Sequence, residues 1–252
     1  MKTLMIHDIR KEYFELNLAG YCLTFDDGLF SQFYYAPLLR ACSPDPIYFI
    51  VSSFIRPGKA RKMFDGEYID TVKSKKYMYD AVIKGEFVHF MTLAEIQTLA
   101  SQETVRIGCH SHFHEVIPAR PPRKKKRPSQ WKMERYPYYD EISGQNLNLR
   151  SKLAFQGYDY REGRLVRRPE TAWEDFIKQD TELSLKWFES NLGFTPKMYC
   201  FPFNEHSDRL IAILKQFGFE EFYGARSGEN KAIRPRIDID KLLYVNAVSP
   251  SQ

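Results

Sequence analysis

The chain has 252 residues, of which 43% are hydrophobic and 27% charged, and its formal net charge is +5. This composition excludes a wholly disordered protein, and no apolar run approaches the roughly 20 residues that a membrane-spanning helix needs. Six basic side chains lie in one segment, RPPRKKKR at residues 120–127, and the rest of the chain has a net charge of −1. A uniformly basic surface for nucleic acid is therefore excluded, whereas a local contact with an anionic partner through 120–127 is still open.

The segment 1–16 has acidic side chains before any long apolar stretch, so we predict no signal peptide and a cytoplasmic protein.

The N-terminal part of the sequence predicts strands that alternate with helices. A short strand is predicted over 21–25, where turn residues end it, and a helix over about 31–40. The apolar run at 46–54 is typical of a strand that is buried on both faces of a parallel sheet.

The middle of the chain contains two stretches without sustained periodicity, at about 55–90 and 115–168, which we interpret as insertions. Between them, the capping-box pattern of Thr92 and Glu95 predicts a helix, and a short strand is predicted over 105–109. The later predicted elements are a helix over 172–192 that ends at Gly193, a strand over 198–201, a helix over 208–217, and strands over 222–224 and 242–248.

This alternation of short strands and amphipathic helices predicts an α/β protein with parallel strands, folded as one domain over 1–252. In such folds the chemistry gathers at the carboxyl ends of the strands. Three polar clusters follow predicted strands: Asp26-Asp27, His110 to His114, and Pro202 to His206. Their convergence at one end of the sheet is the main functional prediction.

Half of the six histidines lie close together, at His110, His112 and His114. Side chains four residues apart share one face of a helical turn, so His110 and His114 could bind the same ion while His112 points away. Imidazole nitrogens suit zinc and other divalent first-row metals. The alternative is a polar turn in which the histidines have no role.

The adjacent carboxylates of Asp26 and Asp27 are compatible with an ordinary turn after a strand. Beside a pair of metal-binding histidines, they can also divide the work of a hydrolase. One carboxylate would complete a three-ligand metal site with open positions, and the other would act as a general base on water.

Two segments of the sequence resemble motifs of a known family. Thr24-Phe25-Asp26-Asp27-Gly28 and His110-Ser111-His112-Phe113-His114 resemble T-F-D-D-G and H-[ST]-x-x-H, the first two motifs of the polysaccharide deacetylases, carbohydrate esterases of family four. Cys200-Phe201-Pro202-Phe203 is a looser match to the third motif, R-x-P-[YF]. The resemblance covers roughly residues 18–225 and is interrupted by the insertions.

The resemblance implies a distorted (β/α) barrel with about seven strands and a bound divalent metal, with zinc as the preferred ion. Carried over by motif position, Asp27, His110 and His114 would be the metal ligands, and Asp26 would be the catalytic base. The implied reaction is removal of an N-acetyl group from a sugar of a polysaccharide or glycan precursor, which would be the binding partner.

The resemblance also implies roles for residues around this centre. Pro202 and Phe203 would lie against the substrate, and the backbone N–H of Phe203 would stabilise the oxyanion of the reaction. Ser111 would support the metal ligands from behind.

The sequence departs from the family pattern at two points. The arginine of the third motif, which orients the base, is Cys200 here, so Asp26 must be held in another way. The closing L-x-H motif, whose histidine is the general acid, has no match in 242–248. We therefore expect His206, which follows the Pro202 turn, to be the acid, with His112 as the second candidate.

These departures leave three hypotheses open. The first is the metal-dependent carbohydrate deacetylase. The second is a metal hydrolase that acts on another amide or on an ester. The third is a degenerate relative that binds metal or glycan without turnover. A role in nucleic-acid binding is not expected.

Overall fold

The computed structural model describes residues 2–43, 45–120, 127–136, 138–224 and 232–248. Its strands are β1 (Lys2–Ile6), β2 (Tyr21–Phe25), β3 (Ile47–Ile50), β4 (Arg106–Cys109), β5 (Val116–Ala119), β6 (Asn148–Ser151), β7 (Tyr158–Arg161), β8 (Arg164–Arg167), β9 (Met198–Cys200), β10 (Glu221–Gly224) and β11 (Ile233–Asp238). Its helices are α1 (Phe30–Tyr34), α2 (Ala36–Cys42), α3 (Ser74–Tyr79), α4 (Leu93–Ala100), α5 (Gln130–Arg135), α6 (Tyr139–Gly144), α7 (Glu170–Leu192), α8 (Asp208–Gln216) and α9 (Asp240–Val248).

Seven of these strands form a closed barrel in which every pairing is parallel. Their order around the barrel is β1, β2, β3, β4, β9, β10 and β11, and β11 pairs with β1 to close it. Because β3 is buried along its whole length, its sequence is a continuous apolar run, as is usual for strands covered on both faces. The predicted fold class, an α/β distorted barrel with about seven strands, is confirmed.

Strand β1 is central to the closure because it pairs with two strands that are far apart in sequence. Lys2 to Ile6 pair with Tyr21 to Phe25 of β2, and Thr3 to Met5 pair with Arg236 to Asp238 of β11. The residues that follow β1 and β2 therefore lie side by side at one rim of the barrel. The side chain of Arg236 can reach this rim from within β11.

Several predicted helices are confirmed. The capping box of Thr92 and Glu95 is formed at the start of α4, and α7 ends at Gly193, whose φ of 74° is left-handed. The helix predicted over 31–40 is instead two short helices, α1 and α2. The break is explained by Pro37, which lacks an N–H donor and is tolerated only in the first turn of a helix.

The strand predicted over 242–248 is wrong, because α9 occupies this segment. The last barrel strand is β11, immediately before this helix, and neither β11 nor β1 was predicted from the sequence. The carboxylate of Asp238 accepts a hydrogen bond from the N–H of Asp240 at 3.1 Å, which ends the strand and begins the helix. With the barrel closed by β11, the following segment has no strand to pair with.

The segments that precede and follow β4 build a second layer at the rim. Strands β5 and β6 pair as one antiparallel sheet, and β7 and β8 pair as another. Helices α3 and α5 pack together over an apolar cluster that includes Phe54, Tyr77, Phe90, Trp131 and Leu149. This layer forms the outer wall of the space above the barrel.

Two further sequence predictions concern the basic segment 120–127 and membrane-spanning helices. Residues 121–126, most of the basic segment, lie outside the described residues, so the predicted anionic contact through 120–127 stays a prediction. Among the described residues, no helix is both long enough and apolar enough to cross a membrane.

Candidate active site

The predicted polar clusters converge at the carboxyl ends of β2, β4 and β9. Asp26 and Asp27 follow β2, and His110 and His114 follow β4. All four are buried, with relative exposures of 2%, 3%, 2% and 6% in that order. They form the floor of a cavity of about 280 Å³, whose outer wall includes Tyr77, Trp131, Lys132 and Phe203.

Asp27, His110 and His114 offer three ligand atoms to one point. Nε2 of His110 lies 3.5 Å from Oδ1 of Asp27, and Nε2 of His114 lies 3.6 Å from the same oxygen. Two ligand atoms that each sit about 2.1 Å from a tetrahedral zinc ion are about 3.4 Å apart, which matches these spacings. Oδ1 of Asp27 is also buried without a hydrogen-bond partner among the described residues. The residues therefore fit a divalent metal ion.

Both imidazoles are in the protonation state that a metal requires. Burial lowers the pKa of His114 to about 3 and lowers the pKa of His110, so both rings are neutral at pH 7. The Nδ1 of His110 lies 2.9 Å from the carbonyl oxygen of Cys200 and donates to it, which leaves the lone pair of Nε2 facing Asp27. The hydroxyl of Tyr77 donates to Oδ2 of Asp27 at 2.9 Å and fixes that carboxylate.

The histidines converge through an irregular loop and not through the helical turn that their spacing suggested. Residues 110–114 contain no helix, and Ser111 and His114 have left-handed φ angles of 71° and 52°. The hydroxyl of Ser111 accepts the N–H of His114 at 3.0 Å, in the position expected for a supporting residue. The buried carboxylate of Asp180 on α7 accepts the N–H groups of His112 and Phe113 at 2.9–3.1 Å.

Asp26 is held by an arginine that the sequence analysis did not identify. Nη1 and Nη2 of Arg236 donate to the two carboxylate oxygens of Asp26 at 2.6 Å and 2.9 Å, with both side chains almost fully buried. Burial alone would raise the pKa of Asp26, but the guanidinium of Arg236 outweighs it and holds this pKa well below its usual range. Asp26 is therefore an ionised carboxylate in a buried site.

Arg236 comes from β11, whereas the third motif of the family would place an arginine at Cys200 on β9. The thiol of Cys200 lies 3.5 Å from Oδ1 of Asp26, so the two positions reach the same carboxylate from different strands. The amide oxygen of Asn204 accepts the other N–H of Nη2 of Arg236 at 2.9 Å and fixes the guanidinium. An arginine thus binds Asp26 from β11, and not from the third-motif position on β9.

His7 is a second residue that the sequence analysis missed. It follows β1, lines the cavity, and places Nε2 at 3.9 Å from Oδ2 of Asp26. The side-chain amide of Gln32 donates to the carbonyl oxygens of both His7 and Asp26, at 2.8 Å and 2.6 Å, and so ties the ends of β1 and β2 together. An apolar run that ends in a histidine at the N-terminus was the only sequence signal.

The two histidines proposed from the sequence as general acids lie elsewhere. His206 packs its ring against Phe201 at a centroid distance of 5.3 Å and is not among the residues that line the cavity. His112 does not line the cavity, and its Nδ1 lies 2.8 Å from the hydroxyl of Ser52. Neither is brought to Asp26 by the fold.

The third cluster contributes its aromatic residue to the cavity. The ring of Phe203 lies 4.5 Å from the ring of His114, whereas the neighbouring Pro202 is buried and does not line the cavity. Phe203 and Asn204 have left-handed φ angles of 60° and 56°, which are costly for residues with a Cβ. Strained residues of this kind concentrate at functional sites.

No protein-family model matches the chain, and no curated protein does. Solved structures do match, at low identity. The deacetylase domain of BpsB from Bordetella bronchiseptica has a TM-score of 0.57 and 19% identity, with 86% of this chain and 71% of that chain covered.

Two further structures match over nearly the whole of both chains. A de-N-acetylase from Aggregatibacter actinomycetemcomitans has a TM-score of 0.59 and 14% identity, and covers 94% of each chain. IcaB from Ammonifex degensii has a TM-score of 0.56 and 13% identity, with 98% of this chain and 95% of that chain covered. The chain is thus a (β/α) barrel with a buried aspartate–histidine site at its carboxyl rim, and its fold is that of these deacetylases.

Proposed function

We propose that the protein is a metal-dependent hydrolase that removes an N-acetyl group from a sugar of a polysaccharide or glycan precursor. One observation carries the proposal. The ligand set of Asp27, His110 and His114 lies beside Asp26, a buried carboxylate that Arg236 keeps ionised, on the floor of an open cavity. A turn without function would not require a buried arginine to hold its acid.

The ligand set of two imidazoles and one carboxylate, with space left on the cavity side, favours zinc. When bound, such an ion polarises the carbonyl group of the substrate and lowers the pKa of water. Among the residues of the chain, Asp26 is the general base that accepts the proton of the attacking water. Arg236 keeps Asp26 ionised and fixes its orientation. The predicted contribution of the Phe203 N–H to oxyanion binding is retained in this proposal.

His7 is the residue that we assign as the general acid in place of His206. It lies on the side of Asp26 that faces the cavity, and its partly exposed ring is free to deliver a proton to the leaving nitrogen. The motifs lack a residue that orients the base and a residue that donates a proton to the leaving group, and Arg236 and His7 would fill these two roles. This favours an active enzyme over a degenerate relative.

Replacing His7 by glutamine is expected to lower kcat for acetate release from an N-acetyl sugar by about 100-fold, the usual contribution of a general acid. Hydrolysis of p-nitrophenyl acetate should be unchanged, because its leaving group needs no proton. The matched variant His206→Gln should retain full activity on both substrates. If His206→Gln loses the amide activity and His7→Gln does not, the acid is His206.

The proposed function is tested by metal analysis of the purified protein together with acetate release from chitooligosaccharides, peptidoglycan fragments and O-acetylated glycans. We expect one divalent ion per chain and acetate from at least one N-acetylated glycan. The variant Asp26→Asn should bind the ion and release no acetate. Stoichiometric metal without acetate from any of these glycans would indicate a binding protein, and acetate from esters alone would indicate an esterase.

A further inference from the structure

The outer wall of the cavity carries two lysines that the chemistry described above does not use. Lys132 on α5 is partly buried, and its Nζ lies 3.9 Å from the centroid of the Phe203 ring and 5.4 Å from that of Trp131. Lys75 on α3 is exposed at the mouth of the same cavity. Among the described residues, all lysine–carboxylate pairs within 4.0 Å involve other lysines.

The position of Lys132 is unfavourable in the absence of a ligand. Burial lowers the pKa of its ammonium to about 8, so it is still mostly protonated at pH 7 but has lost part of its hydration. The acid that acts on it most strongly, Glu205, is already bound to Arg150 at 2.9 Å and to the N–H of Ser151 at 2.7 Å. The aromatic rings stabilise the cation only in part.

The two carboxylates of the cavity, Asp26 and Asp27, lie on its floor and form no ion pair with either lysine. Asp26 is neutralised by Arg236, and Asp27 is bound by Tyr77 on one oxygen and faces the histidines with the other. Among the described residues, no other acidic side chain lines the cavity, so its outer half is cationic. A bound metal ion on the floor would make the cavity more positive still.

We propose that the substrate carries an anionic group, a carboxylate or a phosphate, close to its acetamido group, and that Lys132 binds this anion with assistance from Lys75. The inference rests on the proposed function and narrows its substrate class to acidic amino sugars. An oxyanion would restore to Lys132 the interactions that burial removes, through charge-assisted hydrogen bonds. Phe203, beside the ammonium, is partly exposed in the cavity and offers an apolar surface to the sugar ring.

The charge of the product agrees with this substrate class. Removal of an acetyl group exposes an amine, which is protonated at neutral pH. In a neutral glycan this new ammonium would be repelled by Lys132 and Lys75 while the sugar is still bound. In an acidic sugar the anion balances the ammonium, so the cationic wall holds the sugar before the reaction without a net repulsion after it.

The first test is a binding measurement that needs no turnover. Dissociation constants of glucose, glucuronic acid and glucose 6-phosphate are measured by calorimetry on chelator-treated protein, so that a metal ion cannot bind the anion itself. We expect at least one anionic sugar to bind about 10-fold more tightly than glucose, in line with a charge-assisted contact. Lys132→Met should remove this preference, Lys132→Arg should retain part of it, and the stronger anion identifies carboxylate or phosphate.

Lys73→Met provides the matched control, because Lys73 precedes α3 close to Lys75 but does not line the cavity.

Acetate release is then compared between N-acetylglucosamine oligomers and the same oligomers oxidised to carboxylates at C6. A wild-type preference for the anionic oligomers that Lys132→Met abolishes and Lys73→Met retains supports the inference. Equal rates and equal affinities in wild type and Lys132→Met overturn it while the deacetylase proposal stands. Lys132-dependent binding of the anionic sugars without acetate from any oligomer supports the anion site and contradicts the deacetylase proposal.

Discussion

Replacing Arg236 by methionine is expected to lower kcat/KM for acetate release by about 100- to 1000-fold, the range of a general base that has lost its ionisation or its orientation. The two hydrogen bonds from Arg236 to Asp26 are the strongest contacts of this carboxylate. Without the guanidinium, burial dominates and raises the pKa of Asp26. The acid limb of the pH–rate profile should therefore move to higher pH, a change that a merely structural role of Arg236 would not produce.

The same substitution is expected to reduce the free energy of unfolding by about 3–5 kcal/mol at pH 7, because it leaves a buried carboxylate unpaired. In the wild type the folded-state pKa of Asp26 lies below its unfolded value of about 3.9, so this ion pair stabilises the fold above that pH. The stabilisation decreases as the pH falls below about 4 and Asp26 becomes protonated. The difference between wild type and variant should shrink over the same range.

Arg234 offers a matched control on the same strand. Its side chain is 56% exposed and pairs with Glu221 at 2.9 Å, so Arg234→Met should change stability by no more than about 1 kcal/mol. Arg236→Lys should be more active than Arg236→Met but less active than the wild type. The ammonium of lysine cannot donate two parallel hydrogen bonds to the carboxylate of Asp26, as the planar guanidinium does. If Arg236→Met leaves the rate and the pH profile unchanged, Asp26 is not the base.

The sequence was sufficient to predict the fold class and to nominate the buried residues Asp26, Asp27, His110 and His114. Their motifs are local, since each follows a strand whose apolar pattern is visible in a few residues. The prediction that these residues converge at the carboxyl ends of the strands needed only the general rule for parallel α/β folds. The structure places all four on the floor of one cavity.

Arg236 and His7 could not be predicted in the same way. Their relation to Asp26 depends on the closure of the barrel, in which β1 pairs with both β2 and β11. That contact joins the two ends of the chain, and no local pattern reports it. The short strand β1 also lies at the N-terminus, where its alternation is too brief to be distinguished from an irregular segment.

The approach of His110 to His114 shows the limit of a spacing argument. The i, i+4 separation nominated two histidines that the structure does bring together, but the helical turn that it suggested is not formed. The loop brings the rings to a centroid distance of 5.3 Å because Ser111 adopts a left-handed conformation and Asp180 binds the backbone. Asp180 lies on α7, far away in sequence, so this support could be found only in the structure.

Among the described residues, two groups of side chains have the geometry to hold a metal ion. One is Asp27, His110 and His114, and the other is Asp26, His110 and Cys200. In the second group both oxygens of Asp26 are already bound by Arg236, whose positive charge would repel a cation at short range. Burial also raises the pKa of the Cys200 thiol well above its usual value, so the thiolate that a metal needs is disfavoured.

Replacing Asp27 by asparagine is therefore expected to weaken divalent metal binding by more than about 100-fold. Loss of a residue that only hydrogen-bonds to a metal ligand usually weakens binding by about 10- to 100-fold, and loss of a ligand itself should cost more. The neutral amide can still accept the hydrogen bond from Tyr77, which keeps the local packing. In metal-free protein the variant should be as stable as the wild type or more stable, since it removes a buried charge with one unpartnered oxygen. The measurements are calorimetric titration with zinc and thermal unfolding with and without the ion.

The two ligand groups predict opposite results for two variants. If Asp27, His110 and His114 hold the ion, Asp27→Asn loses the rise in melting temperature on zinc addition, and Cys200→Ser keeps it. Tyr77→Phe should show an intermediate rise in melting temperature on zinc addition. This variant removes the hydrogen bond that fixes the carboxylate of Asp27 but keeps all three ligands. Loss of the metal in Cys200→Ser with full binding in Asp27→Asn would transfer the site to the second group. Asp26 would then be a metal ligand and could not act as the free base. The same zinc titration therefore tests both Asp27 as a metal ligand and Asp26 as the general base.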